Sequence, residues 1–176
     1  SIISGMWTSA ALAASPENIP VLRTQLTRLF DKFGFSVAGH AGKSLTHALT
    51  SLPHDLLITF AQDDLEKLAL ISMSLIDRPR PKLHSVISPL ARHLFAFVWL
   101  PREQLSTERR KNVEKMLTSA TGAKILSWSN TLEAGGVSSL RYTLDMGADG
   151  RIPDPDVLDQ ELENMVRGWK PEVERN

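Results

Sequence analysis

The stretch from Lys82 to Leu117, KLHSVISPLARHLFAFVWLPREQLSTERRKNVEKML, decides the fold. It reads as strand, turn, strand, proline stop and capped helix, with no reactive group in the middle. In the second strand, His93 to Leu100, the residues Leu94, Ala96, Val98 and Leu100 alternate with Phe95, Phe97 and Trp99, so both faces are apolar. Such a strand is expected to be buried on both sides. In a chain of 176 residues this implies helices over one face and a partner over the other, or residence inside a larger protein. The two strands join around Ser88-Pro89-Leu90-Ala91. Ser106 caps a helix with Val113, Met116, Leu117 and Ala120 inward, and Gly122 ends it.

Toward the C-terminus two more strands follow, Lys124 to Leu132 and Ser139 to Met146, with Leu140, Tyr142, Leu144 and Met146 on one face and Glu133-Ala134-Gly135-Gly136 as the turn. A last helix from about Asp156 carries Leu158, Leu162, Met165, Val166 and Trp169 on one stripe. The order ββαββα folds most simply as a four-stranded antiparallel sheet with helices on one face, an α+β class. Toward the N-terminus, Ser15-Pro16 starts a helix in which Ile19, Leu22, Leu26, Leu29, Phe30 and Phe33 recur at helical spacing up to Gly34. A second helical piece carries Leu45, Ala48, Leu49 and Leu52 and stops at Pro53. A third is capped by Asp63 with Glu66 and turns Leu65, Leu68, Ala69, Met73 and Ile76 inward. Arg78-Pro79-Arg80-Pro81 is the expected hinge, dividing a helical segment, 1–80, from the α+β domain, 81–176.

Lys plus Arg and Asp plus Glu both number 20, so no net field draws nucleic acid, an anionic membrane or an acidic substrate. The absence of cysteine excludes disulfides, thiol nucleophiles and cysteine-ligated metals, and fits the cytoplasm. The apolar start, Ile2 to Ala14, is interrupted by Ser4, Gly5, Thr8 and Ser9 and lacks a basic leader, which reads as neither signal peptide nor membrane span. Ser1 in place of a methionine is compatible with a piece cut from a longer protein.

Chemistry-bearing patterns are incomplete. Gly39-His40-Ala41-Gly42-Lys43-Ser44 ends like a phosphate-binding loop, but Val37 stands where the first glycine belongs, so a glycine-rich helix entry explains it better. Lys43 near a helix start could hold another anion. His40, His47 and His54 are spaced by seven, and Pro53 breaks the helix they would need. His84 and His93 flank the hairpin and could face each other, two nitrogens where zinc wants three or four ligands. Asp145, Asp149, Gly150 and Asp156 approach a calcium-loop spacing, but Gly147 occupies the third position, a strand precedes it, and Pro153 and Pro155 interrupt it. No catalytic residue and no metal site is assigned. Phe95, Phe97 and Trp99 lack the basic and glycine residues of an RNA-binding sheet and read as core.

With these elements in order, the chain resembles the large bacterial NAD-specific glutamate dehydrogenases, in the ACT-like regulatory region that precedes their catalytic domain. The likeness is carried in sequence by SPENIPVLRTQLTRLFDKFGF from Ser15, GHAGKSLTHAL from Gly39, LPHDLL from Leu52, DDLEKLALISMSLIDRPRPKL from Asp63, VWLPREQLSTERRKNVEKML from Val98 and LDQELENMVRGWKPEVE from Leu158. The resemblance implies an ACT, ferredoxin-like sheet in a noncatalytic regulatory and assembly module. It implies a parent that oxidises L-glutamate with NAD, the cofactor being held outside this fragment. Partners would be sibling domains and subunits, with an amino acid as a possible effector and neither nucleic acid nor membrane. Polar positions that match are His40, Gly42, Lys43, Asp55, Arg92, Pro101 and Arg102, of which His40, Gly42, Lys43, Arg92 and Arg102 are the candidate effector or interdomain contacts. The chain departs from the family at Ala41, His54 and Ser88, and the charges lost at these three points count against an inherited anion or effector site. Two other readings stand beside this one: a free-standing amino-acid-binding module that controls another protein, and a small hydrolase or nucleotide-binding protein using Lys43 and Ser44.

Overall fold

Two prolines govern how the chain first coils. In the computed structural model, which describes residues 5–6, 8–10, 14–50 and 52–168, Pro16–Asn18 forms only a 3-10 turn and the first α-helix, α1, spans Pro20–Phe33. One helix from Ser15 was expected. Pro20 has no N–H to continue it and forces the preceding Ile19 into an extended conformation, φ −104° and ψ 115°, so the helix restarts at Pro20. The chain divides into two compact units, Ser1–Met73 and Ser74–Asn176.

The first unit is helical. α1 buries Leu22, Leu26 and Leu29 and closes on Gly34, whose positive φ of 64° lets its N–H reach the Phe30 carbonyl. α2, His40–Thr50, buries Leu45, Ala48 and Leu49. A six-residue helix, α3, His54–Thr59, follows Pro53 and buries Leu57; it is too short to show a helical period, and the sequence reading passed over it. α4 spans Gln62–Asp77, its residues from Ser74 on belonging to the second unit; it starts a turn's fraction before the expected cap at Asp63, with Leu65, Leu68, Ala69 and Leu75 buried. Met73 and Ile76, expected inward, are only half-buried. Lys32 of α1 and Glu66 of α4 pair at 2.6 Å.

The second unit is the four-stranded sheet. β1 is Lys82–Ile87, β2 His93–Pro101, β3 Lys124–Leu132 and β4 Val137–Asp145; between and after them lie α5, Thr107–Thr121, and α6, Pro155–Arg167. All pairings are antiparallel in the order β1-β2-β4-β3. Read from β2 the chain runs β-α-β-β-α, and β1 supplies the fourth strand from the other end of the sequence, a ferredoxin-like sheet with its last strand moved to the front. This is the expected α+β fold. Ser106 caps α5 by accepting the Arg109 N–H, and Gly122 ends it with φ 69°. Asp154 caps α6 with Pro155 in its first turn. One core joins Leu83, Leu94, Val98, Leu140 and Leu144 of the sheet to Val113 and Leu117 of α5 and Leu158 and Leu162 of α6. On the opposite face Phe97 and Trp99 are also buried, at 1% and 3% exposure, so β2 is enclosed on both sides as its sequence requires. Trp169 lies outside the described residues.

Candidate functional site

Which edge of the sheet is open follows from hydrogen-bond parity. Ser88 N–H donates to the His93 carbonyl, so the even residues of β1 bond inward to β2 and the odd ones face out. The outward Leu83 N–H is taken by α6: it donates to Asp159 Oδ1 at 2.7 Å, and Lys82 Nζ holds Oδ2 at 2.5 Å. A short strand with a charged, helix-clamped start is a blunted edge.

The β3 edge is different. Glu133 N–H donates to the Val137 carbonyl, which sets Ser127, Ser129 and Thr131 inward to β4 and leaves the N–H and C=O of Trp128, Asn130 and Leu132 pointing away from the sheet. Among the described residues nothing pairs with them. Their side chains lie on the helix-covered face, opposite Tyr142, Leu140 and Ser138. Trp128 and Leu132 are 47% and 56% exposed, and Leu126, squeezed out at a register shift between Ile125 and Ser127, is exposed too. From Ile125 to Leu132 the strand has no charge.

α5 flanks this edge. The Arg110 guanidinium lies 4.2 Å from the centre of the Trp128 ring and is also ion-paired with Glu114 one turn on. Beneath them Tyr142 is fully buried, and its hydroxyl finds no hydrogen-bond partner among the described residues. Burial pushes that hydroxyl well above the ordinary phenol range; the Glu114 carboxylate adds to the rise and Arg110 opposes it.

The residues singled out from sequence occupy separate places. His40 and Lys43 lie exposed on the first turn of α2, three residues apart on one face. Gly42 is buried there because the Ser36 carbonyl passes where a side chain would stand: a Cβ would meet it at 2.2 Å. No strand precedes this segment among the described residues, and the Ser36 carbonyl lies against Gly42. Among the described residues the segment lacks the strand-to-loop setting of a phosphate-binding loop. Arg92 and Arg102 are exposed just before and just after β2, about 30 Å apart along it, so they form no common site. The two hairpin histidines do not face each other, contrary to expectation: the register sets His84 opposite Phe97 and His93 opposite Asp145, about 13 Å apart along β2. In the Asp145–Asp156 loop Asp145 accepts the Gly147 N–H at 3.1 Å, and Arg151 donates to the Thr121 and Ser119 carbonyls at the end of α5. That loop is a strand-to-helix turn fastened to a helix terminus. Trp128, Asn130 and Leu132 escaped sequence reasoning. The signal available was a strand of serines, Trp128 and Leu132 with no alternation to hide its apolar members.

Residues 19–78 match the family described as glutamate dehydrogenase, helical motif 1, and residues 85–170 that described as glutamate dehydrogenase, ACT2 domain. The chain is 28% identical over 173 residues to the NAD-specific glutamate dehydrogenase of Halomonas elongata, covering 96% of this chain and 10% of that protein. With that of Pseudomonas aeruginosa it shares 25% over 167 residues, covering 94% of this chain and 10% of the relative. The chain thus spans about a tenth of the length of the curated relatives it matches. No helix among the described residues is long and apolar enough to cross a membrane.

Proposed function

The chain belongs to the glutamate dehydrogenase family, whose first helical motif and second ACT domain it carries, and from that premise we propose that it is a noncatalytic regulatory and assembly part of a large NAD-specific glutamate dehydrogenase. The parent oxidises L-glutamate with NAD in the cytoplasm, with cofactor and substrate held by regions outside this chain. Here the sheet and helices provide shape and contact surface to sibling domains and subunits. The observation that supports this most is the difference between the two sheet edges: Asp159 takes the outward N–H at the start of β1, while Trp128, Asn130 and Leu132 of β3 turn outward backbone groups that pair with nothing among the described residues, Trp128 and Leu132 being half-exposed. An open apolar edge is a liability in a solitary protein and a docking element in an assembled one.

An effector acts through such a module only by binding two packing states unequally. His40, Gly42 and Lys43 on α2, and Arg92 and Arg102 at the ends of β2, are proposed contacts for an amino-acid effector or for neighbouring domains. The test is direct. The chain, incubated with L-glutamate and NAD, produces no NADH, and turnover by it alone contradicts the noncatalytic reading. Calorimetric titration with a panel of amino acids then reads the effector role, and Lys43→Ala weakens any binding if α2 supplies the anion contact.

A further inference from the structure

We propose that Asp159 sets the side on which this sheet takes neighbours: by occupying the β1 edge it ends the sheet there and leaves contact with another strand to β3. This rests on the assembly reading above and assigns the residue that limits assembly. A sheet with two open edges joins others into an open-ended row, whereas one with a single open edge stops after one joining. The outward groups of β1 decide between the two cases.

Outward positions on β1 are odd-numbered. Carried back along the chain, that alternation makes Pro81 and Pro79 the next outward positions, and neither has an N–H to offer. Leu83 has one, and it donates to Asp159 Oδ1 at 2.7 Å. The other carboxylate oxygen holds Lys82 Nζ at 2.5 Å, so one side chain takes a backbone donor and a cation at the same corner. Ser85 and Ile87 alone keep outward N–H groups without a backbone partner among the described residues. Asp159 is held in place by its own helix. Leu158 and Leu162 of α6 are buried in the core, and Asp159 follows Leu158 by about 100° around the helix, which turns it from the core toward the sheet edge. There its side chain is 14% exposed, so water competes little for the Leu83 N–H. At β3 no side chain does the same: the outward backbone groups of Trp128, Asn130 and Leu132 pair with nothing among the described residues.

Asp159→Ala is expected to free the Leu83 N–H and let chains join through β1. Sedimentation of the 176-residue chain, between about 1 and 100 µM, reads this as an average mass that climbs with concentration, to roughly one and a half times that of the unmodified chain or more at the upper end. Lys82→Ala keeps Asp159 on the backbone, and Asp159→Asn keeps an oxygen for the N–H; both are expected to match the unmodified chain. Ser85→Pro, added to Asp159→Ala, removes an outward donor without touching the ladder between β1 and β2, and is expected to bring the mass back. Ile87→Lys in the same background sets like charges along the edge and does the same should the proline variant misfold. An Asp159→Ala chain no larger than the unmodified one overturns the proposal. So does growth that neither edge change suppresses, since that is aggregation of a loosened fold and not strand pairing. The assembly reading is tested at the other edge, by Asn130→Pro in the parent, which removes an N–H that points away from β4, so its failure and this one are told apart.

Discussion

Raising the pH tests one buried group whose response the structure fixes. Tyr142 is the chain's single tyrosine; it is 1% exposed, and its hydroxyl is bonded to nothing among the described residues. Ionising it in place would leave a phenolate in an apolar core beside the Glu114 carboxylate, and both effects raise its pKa, burial more than charge. In the unfolded chain it titrates near its ordinary value of about 10. Below that pH both states hold the proton and the group adds no pH dependence. Above it the unfolded state sheds the proton first, so folding stability falls by about 1.4 kcal/mol for each pH unit until the folded hydroxyl itself ionises. For a unit of this size that lowers the melting temperature by roughly 4–8 °C per kcal/mol. Tyrosinate absorbance followed beside far-ultraviolet circular dichroism is the assay, and the absorbance change is expected only as the fold is lost. Tyr142→Phe isolates the component: its stability declines less steeply above pH about 10. At neutral pH it differs from the parent chain by no more than about 1 kcal/mol, because the hydroxyl removed makes no bond. Tyrosinate forming near pH 10 with the sheet intact refutes the burial argument.

Asp159→Ala should destabilise the sheet unit by about 2–3 kcal/mol in chemical denaturation, since it strips a charged acceptor from the Leu83 N–H as well as ending the Lys82 pair. Lys82→Ala should cost under about 1 kcal/mol, and equal losses from the two would show that the backbone bond at the β1 edge counts for little. Gly42→Ala, which at an open helix position would gain up to about 1 kcal/mol, should instead cost about 1–3 kcal/mol, because its Cβ meets the Ser36 carbonyl; thermal unfolding that rises contradicts that contact. Gly135→Ala should lower the melting temperature for two reasons together, a φ of 76° and a Cβ placed 2.6 Å from the Ile76 carbonyl, and an unchanged midpoint removes that turn from the account.

Most of the sheet unit was legible because its signals are local and strong. The double apolar register of β2, the Ser106 cap, the Gly122 stop and the stripe of α6 each follow from residues within a turn or two of one another. The helical unit was harder at its joins. Pro16 and Pro20 compete for the same helix start, and α3 is shorter than two turns, so local pattern could not choose. The site was hardest. Whether β3 is central or at an edge depends on strand order, and ββαββα permits more than one; only the pairing of β4 with β2 exposes Trp128, Asn130 and Leu132. The hairpin histidines show the same limit, since a reading without register brought together two side chains four rungs apart.

One comparison addresses both halves of the proposed role, that this region assembles and does not react. In the full parent dehydrogenase carrying Asn130→Pro, assembly size by sedimentation and glutamate oxidation per subunit are measured on the same sample. The account predicts a smaller or more readily dissociated assembly whose subunits still oxidise glutamate. An unaltered assembly that has lost its turnover contradicts it, because the chain would then belong to the chemistry.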